Sequence, residues 1–138
     1  MKIRELKMKD YEQVYELWSA AGIELKKSDE RPGIQRMINR NPKTCLVGVK
    51  NGEIVAAVLG GFDGRRGFIH HMAVKPSHQG EGLGSKLLKE LLMRFKKQRV
   101  IKLHLFVQKE NKEVIGFYKD HGFVKRTELI DLSKKLID

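Results

Sequence analysis

Along the chain the apolar positions change period several times, and each change marks an element. Lys2 to Leu6 alternates charge with Ile3, as a short strand does; Val14, Leu17, Trp18 and Ala21 then recur at helical spacing behind Asp10, a side chain suited to cap a helix start. Gly22 ends that helix. Ser28, Asp29 and Pro32 introduce a second one, with Ile34, Met37 and Ile38 on one side, which closes before Asn41-Pro42. The segment between the two helices, Gly22 to Arg31, is expected to be the most mobile region.

Two strand-like runs follow, Thr44 to Lys50 and Glu53 to Phe62, separated by Asn51-Gly52, a pair that favours a tight antiparallel hairpin because both residues tolerate positive φ. Asp63-Gly64 with Gly67 predicts a further turn, with Arg65 and Arg66 at its tip, and Phe68 to Val74 returns as the third strand of a meander. Leu83, Leu87, Leu91 and Phe95 then repeat every four residues beside Leu88 and Leu92, the buried face of an amphipathic helix. Val100 to Val107 reads as a strand, parallel to the Phe68 strand because a helix connects them. Asn111 starts a last helix that packs Val114, Ile115, Phe117 and Tyr118 and stops at Gly122; Phe123 to Val124 and Leu129 to Leu136 supply final strands. The expectation is one α/β domain over residues 1–138, a mixed sheet that is antiparallel in its N-terminal half, with helices on both faces.

Composition narrows the classes. With 138 residues, 41% hydrophobic and 33% charged, the chain suits a single folded domain and is too apolar for disorder. Its longest nearly unbroken apolar stretch, Ile54 to Phe62, is far short of a membrane span, and its N-terminus is charged from Lys2 to Asp10, so no membrane partner and a cytoplasmic location are expected. Cys45 is the single cysteine and sits in a strand-like run, which reads as inert packing and leaves no cysteine-based metal site; no histidine pattern suggests a metal either. The net charge of +11 suits either nucleic acid or a polyanionic cofactor. The basic residues are spread along the chain and match no nucleic-acid motif, so nucleic acid is the weaker reading.

The stretch that carries chemistry is Val74 to Ser85, a strand end, a glycine loop and a helix start. Gly80, Gly82 and Gly84 leave backbone N–H groups uncovered, and the following helix adds unpaired donors and the positive end of its dipole, which together make an anion site. A dinucleotide fingerprint starting at Gly80 needs glycine or alanine where Ser85 stands and an acidic strand end near His104, and neither is present. A P-loop needs Gly-Lys-Ser/Thr at 85 to 87, where the chain has Ser85-Lys86-Leu87. The pattern that fits is Gln/Arg-x-x-Gly-x-Gly/Ala, met by Gln79, Gly82 and Gly84 after Met72-Ala73-Val74 and Pro76.

With that motif, and with Asn111, Phe117, Tyr118, Gly122 and Phe123 forming an Asn followed by Tyr-x-x-x-Gly-Phe, the chain resembles the GNAT superfamily of acetyl-CoA-dependent N-acetyltransferases, including the type that acts on ribosomal-protein N-termini. The resemblance implies that the strand before the loop and the strand after its helix splay apart to admit the pantetheine arm. It implies backbone contacts to acetyl-CoA from Met72, Ala73 and Val74, pyrophosphate contacts from Gln79, Gly80, Glu81, Gly82, Leu83 and Gly84 with Ser85 near them, a further cofactor contact at Asn111, and Tyr118 as the acid that protonates the leaving thiolate. The implied partners are acetyl-CoA and an amine acceptor, with homodimerisation left open. Several relatives carry a glutamate in the strand before the loop, whereas Phe68 to Val74 has no carboxylate. His70 and His71 stand there instead, and as neighbours on a strand they are expected to point to opposite faces, one of them serving as base. Glu24, Asp29, Glu30 or a water relay are rivals for that role, and a non-catalytic acyl-CoA-binding module is the alternative function.

Overall fold

A five-stranded sheet in the order β1-β2-β3-β4-β5 organises the first part of the chain in the computed structural model, which describes residues 1–138. The strands are β1 (Lys2–Glu5), β2 (Cys45–Lys50), β3 (Glu53–Phe62), β4 (Gly67–Val74) and β5 (Leu103–His104). The first four pair antiparallel and β4 pairs parallel with β5, as the connecting helix requires. The chain divides into two units, residues 1–105 and 106–138.

In the first unit the hairpin between β2 and β3 turns at Asn51 and Gly52, both with positive φ (52° and 76°), the pair of conformations that matches strand twist in a tight hairpin. Helices α1 (Tyr11–Ala20) and α2 (Arg31–Arg40) cover one face of the sheet and α3 (Leu83–Lys97) the other. Two adjacent glycines in β3 show how closely. A Cβ on Gly60 would meet Phe95 and Leu91 of α3 at 2.8 and 2.9 Å, and one on Gly61 would meet Met37 of α2 at 3.0 Å. Trp18, Val14, Leu17, Ile34 and Ile38 fill the α1/α2 side with Ala57, Leu59 and Ala73 from the sheet, and Trp18 is wholly buried. Asp10 precedes α1 but does not cap it: its carboxylate accepts the Lys7 N–H of a short 3-10 turn and pairs with Arg4 through both oxygens.

The second unit holds α4 (Lys112–Asp120), which starts after Asn111 as expected, and an irregular tail. Two expectations fail here. Phe123 to Val124 and Leu129 to Leu136 form no strand; Leu129, Ile130, Leu132 and Leu136 are exposed, so the apolar alternation has no sheet face to bury it. Of the expected strand Val100 to Val107, only Leu103 and His104 hold a ladder, because pairing to β4 stops at Phe68.

Candidate functional site

The break between β4 and β5 sets the geometry of the first unit. Their parallel pairing covers Gly67 with Leu103 and Phe68 with His104, and from Ile69 to Val74 the edge of β4 has no partner from β5. Lys75 N–H donates to Val55 O at 2.8 Å; since backbone groups alternate sides along a strand, those of Val74 point away from β3 toward the open edge. The Val74 carbonyl confirms the direction, for it accepts the Gln79 side-chain amide at 3.2 Å. An extended ligand arm laid along this edge therefore meets backbone donors and acceptors, as a further strand would.

That edge runs into the glycine loop. Pro76 to His78 form a 3-10 turn, and Gly80 and Gly82 take φ of 84° and 78°, conformations that favour glycine. Neither has an atom within 4 Å of where a Cβ would stand, so backbone conformation and access to the loop call for glycine here, and packing does not. Gly82 is the N-cap of α3 and offers no side-chain cap, and the first intrahelical bond runs from Lys86 N–H to Gly82 O at 3.3 Å. The N–H groups of Leu83 and Gly84 thus lie at the positive end of a helix of 15 residues. Glu81 turns its carboxylate to Lys50 at 2.8 Å and tethers the loop to the β2–β3 hairpin. Phosphate oxygens suit such a loop, so the residues present fit the pyrophosphate of a nucleotide cofactor.

On the α1/α2 face the structure corrects the expectation for the two histidines. Ala57 lies opposite Ala73 and Leu59 opposite His70, so the single residue Val58 faces two residues of β4, His71 and Met72. This is a β-bulge, and His71 takes φ +51° to make it. The extra residue breaks the alternation, so both histidines reach the same side. His70 stacks on Phe68 at 6.1 Å between ring centroids, and His71 meets the edge of Trp18 at 5.1 Å. His71 Nε2 lies 2.8 Å from Asp29 Oδ1.

Asp29 comes from a 3-10 turn, Lys27–Asp29, inside the segment expected to be mobile, and the turn is held. Asp29 Oδ2 accepts the Lys26 N–H at 2.9 Å, Asp29 O accepts the Tyr11 hydroxyl at 2.8 Å, and the carboxylate is buried. Burial pushes the Asp29 pKa up, but the hydrogen bonds from His71 and the Lys26 N–H outweigh it and hold the carboxyl below its usual value. His70 has its edge in solvent, yet desolvation by the surrounding protein, followed by the charge of His71, lowers its pKa against the opposing pull of Asp29. Cys45 is buried with its thiol pushed up to about 12, as an inert packing residue should be.

In the second unit Tyr118 stands in an aromatic cluster, 5.1 Å from the Phe117 ring and 5.5 Å from that of Phe123. Burial raises its pKa to about 12, so the phenol keeps its proton at neutral pH. Asn111 precedes α4 without a side-chain cap bond. Sequence reasoning listed Asp29 only as a rival to the histidines, took Trp18 for plain helix packing, and missed the Gln79 bond to Val74. Only Asp29 left a signal, an acidic residue three positions after Lys26, which marks the turn but not its histidine partner.

The chain matches the model of the acetyltransferase (GNAT) family over residues 3–123. It is 34% identical over 138 residues to an acetyltransferase of Pectobacterium atrosepticum, covering all of this chain and 97% of that one. Among solved structures it resembles Ard1 from Thermoplasma volcanium, with a TM-score of 0.81 and 28% identity over 89% of this chain and 82% of that one. It also shares its fold with a predicted acetyltransferase of Clostridium acetobutylicum solved with acetyl-CoA, with a TM-score of 0.69 and 22% identity over 96% and 95% of the two chains.

Proposed function

Because the chain belongs to the GNAT acetyltransferase family, whose members use acetyl-CoA, we propose that it transfers the acetyl group to a primary amine by direct attack in a ternary complex. The observation that carries the reading is the open edge of β4 running into positive-φ glycines at the start of α3, which suits one extended, phosphate-bearing substrate. In this reading the backbone of Met72, Ala73 and Val74 lies along the pantetheine arm, with the outward N–H of Val74 as a donor. The N–H groups from Gln79 to Gly84 hold the pyrophosphate, with Ser85 beside them and Asn111 as a further contact.

The chemistry then needs a base and an acid. As the amine nitrogen bonds the acetyl carbon, its proton passes to a histidine of β4; His71 is favoured over His70 because a carboxylate orients it. The carbon–sulfur bond breaks, and the thiolate takes a proton from Tyr118, a phenol that burial keeps protonated. The acceptor is a protein N-terminus, a lysine or a small metabolite. No helix is long and apolar enough to cross a membrane.

An acetyl-CoA-dependent screen over small amines, lysine peptides and N-terminal peptides, read as coenzyme A release, tests the proposal. Release with at least one amine class, abolished in a His71→Ala, Tyr118→Phe double variant, is expected. Tight acetyl-CoA binding without release across the screen would make the chain an acyl-CoA-binding module.

A further inference from the structure

We infer that Asp29 is a positioning residue for the acetyl transfer, fixing the tautomer and orientation of His71 so that Nδ1 is the nitrogen that receives the amine proton. This rests on the reading of His71 as base. A neutral imidazole has one donor and one acceptor nitrogen, and the group bonded to one nitrogen decides the role of the other. Asp29 is held ionised, so the bond at 2.8 Å is Nε2–H to Oδ1, and Nδ1 is left with its lone pair. The ring stays partly open to solvent, with 22% of its side-chain surface exposed against 9% for Asp29, so the imidazole is the more accessible member of the pair.

The structure contains its own control. Two 3-10 turns share one local design: Asp10 Oδ2 accepts the Lys7 N–H and Asp29 Oδ2 accepts the Lys26 N–H, each at 2.9 Å. Capping accounts for one oxygen of each carboxylate. At Asp10 the remaining contacts go to Arg4, six residues away, in an ion pair that involves no histidine. At Asp29 the second oxygen goes to a histidine 42 positions on, and that histidine is the one non-glycine residue at positive φ that lies inside a strand; Asn51 is in a turn and Arg99 follows a helix. A left-handed conformation is costly for a non-glycine residue and persists where the surroundings impose it, often at working sites. Edge contact with wholly buried Trp18 and the Asp29 bond are what impose it on His71.

The proton balance is simple. When the amine proton arrives on Nδ1 the imidazolium faces the Asp29 carboxylate, which stabilises the charge without taking the proton itself. His70 has a ring neighbour but no oriented carboxylate, and so lacks this second half.

The test compares wild type, Asp29→Asn, His71→Ala and the double variant, with Asp10→Asn as structural control. For Asp29→Asn, kcat should fall about a hundredfold or more with the acceptor KM nearly kept, as expected when a base is left in the wrong tautomer. The double variant should lose no more than His71→Ala alone, because Asp29 acts through His71. Asp10→Asn should keep kcat within about twofold. Nitrogen-15 NMR of the wild type supplies a readout independent of activity and of mutant folding, and the Nε2–H tautomer of His71 is expected. The Nδ1–H tautomer, an Asp29→Asn kcat within about threefold of an active wild type, or additive losses in the double variant would each overturn the inference. A wild type that acetylates no amine overturns the underlying reading instead and takes the positioning role with it.

Discussion

Replacing Gly82 by valine puts a number on the loop. Gly82 has φ +78°, where a side chain costs about 1–2 kcal/mol, and a β-branched one lies at the upper end. Nothing stands within 4 Å of the new Cβ, so no clash adds to this strain, and melting should fall by about 3–10 °C for a chain of this size. Binding is affected separately. The new side chain stands over the loop N–H groups beside the N-terminus of α3, and hydrogen bonds to a charged phosphate are worth about 1.5–3 kcal/mol each. Losing one raises the acetyl-CoA Kd about 10- to 100-fold. Calorimetry with acetyl-CoA measures it directly. Gly64→Val is the control, since Gly64 has φ +99° and equally open space in the β3–β4 turn; it should show similar strain and unchanged Kd. A folded Gly82→Val protein with wild-type Kd would remove the loop from the cofactor site.

Three further outcomes follow from the same geometry. Tyr118→Phe should lower kcat about 10- to 1000-fold and leave the acetyl-CoA Kd nearly unchanged, by stopped-flow turnover and calorimetry, as the proposed role of the hydroxyl toward the leaving thiolate requires. The Asp10 pKa is raised by burial but lowered by more through the Arg4 hydrogen bonds and the Lys7 N–H, so its contribution to stability is present above the unfolded carboxylate value near 4 and is lost as pH falls through the lower folded value. Asp10→Asn should therefore cost about 1–3 kcal/mol in urea unfolding at pH 7, and little at pH 2; an equal cost at both would contradict the ion pair. With a net charge of +11 and no carboxylate in β4, acidic N-terminal peptides should give higher kcat/KM than spermidine, most clearly at low salt; a preference for spermidine would refute the charge argument.

The elements that sequence made legible are those whose signal is local and periodic. Leu83, Leu87, Leu91 and Phe95 at spacing four place α3 facing the sheet, and all four are buried. Asn51-Gly52 specifies its hairpin through backbone conformation alone. The glycine loop was readable because glycine there answers a φ requirement that two residues, Gly80 and Gly82, meet in the structure. The tail misled for the opposite reason. Leu129-Ile130-x-Leu132 alternates well enough for a strand, but alternation records only a preference for being half buried; a strand also needs a neighbour's backbone, and this segment has none within its unit.

The histidines show where local reading ends. The rule that adjacent strand residues face apart holds only while the ladder counts one residue against one, and nothing in Phe68 to Val74 announces the place where it counts two against one. A bulge is set by what each neighbouring side chain finds across the sheet. Regular pairing would turn one of the two histidines onto the α3 face, which is filled by Leu87, Leu88, Leu91 and Phe95 and would strand a polar ring among leucines. Slipping one residue places both rings on the α1/α2 face, where Asp29 bonds one of them and solvent reaches the other. The carboxylate missing from β4 is thus supplied from a turn 42 positions earlier in the chain. Nothing local in the sequence announces that arrangement: Asp29 has Lys26, Lys27 and Arg31 close by in the chain, as Asp10 has Arg4, yet its carboxylate bonds His71.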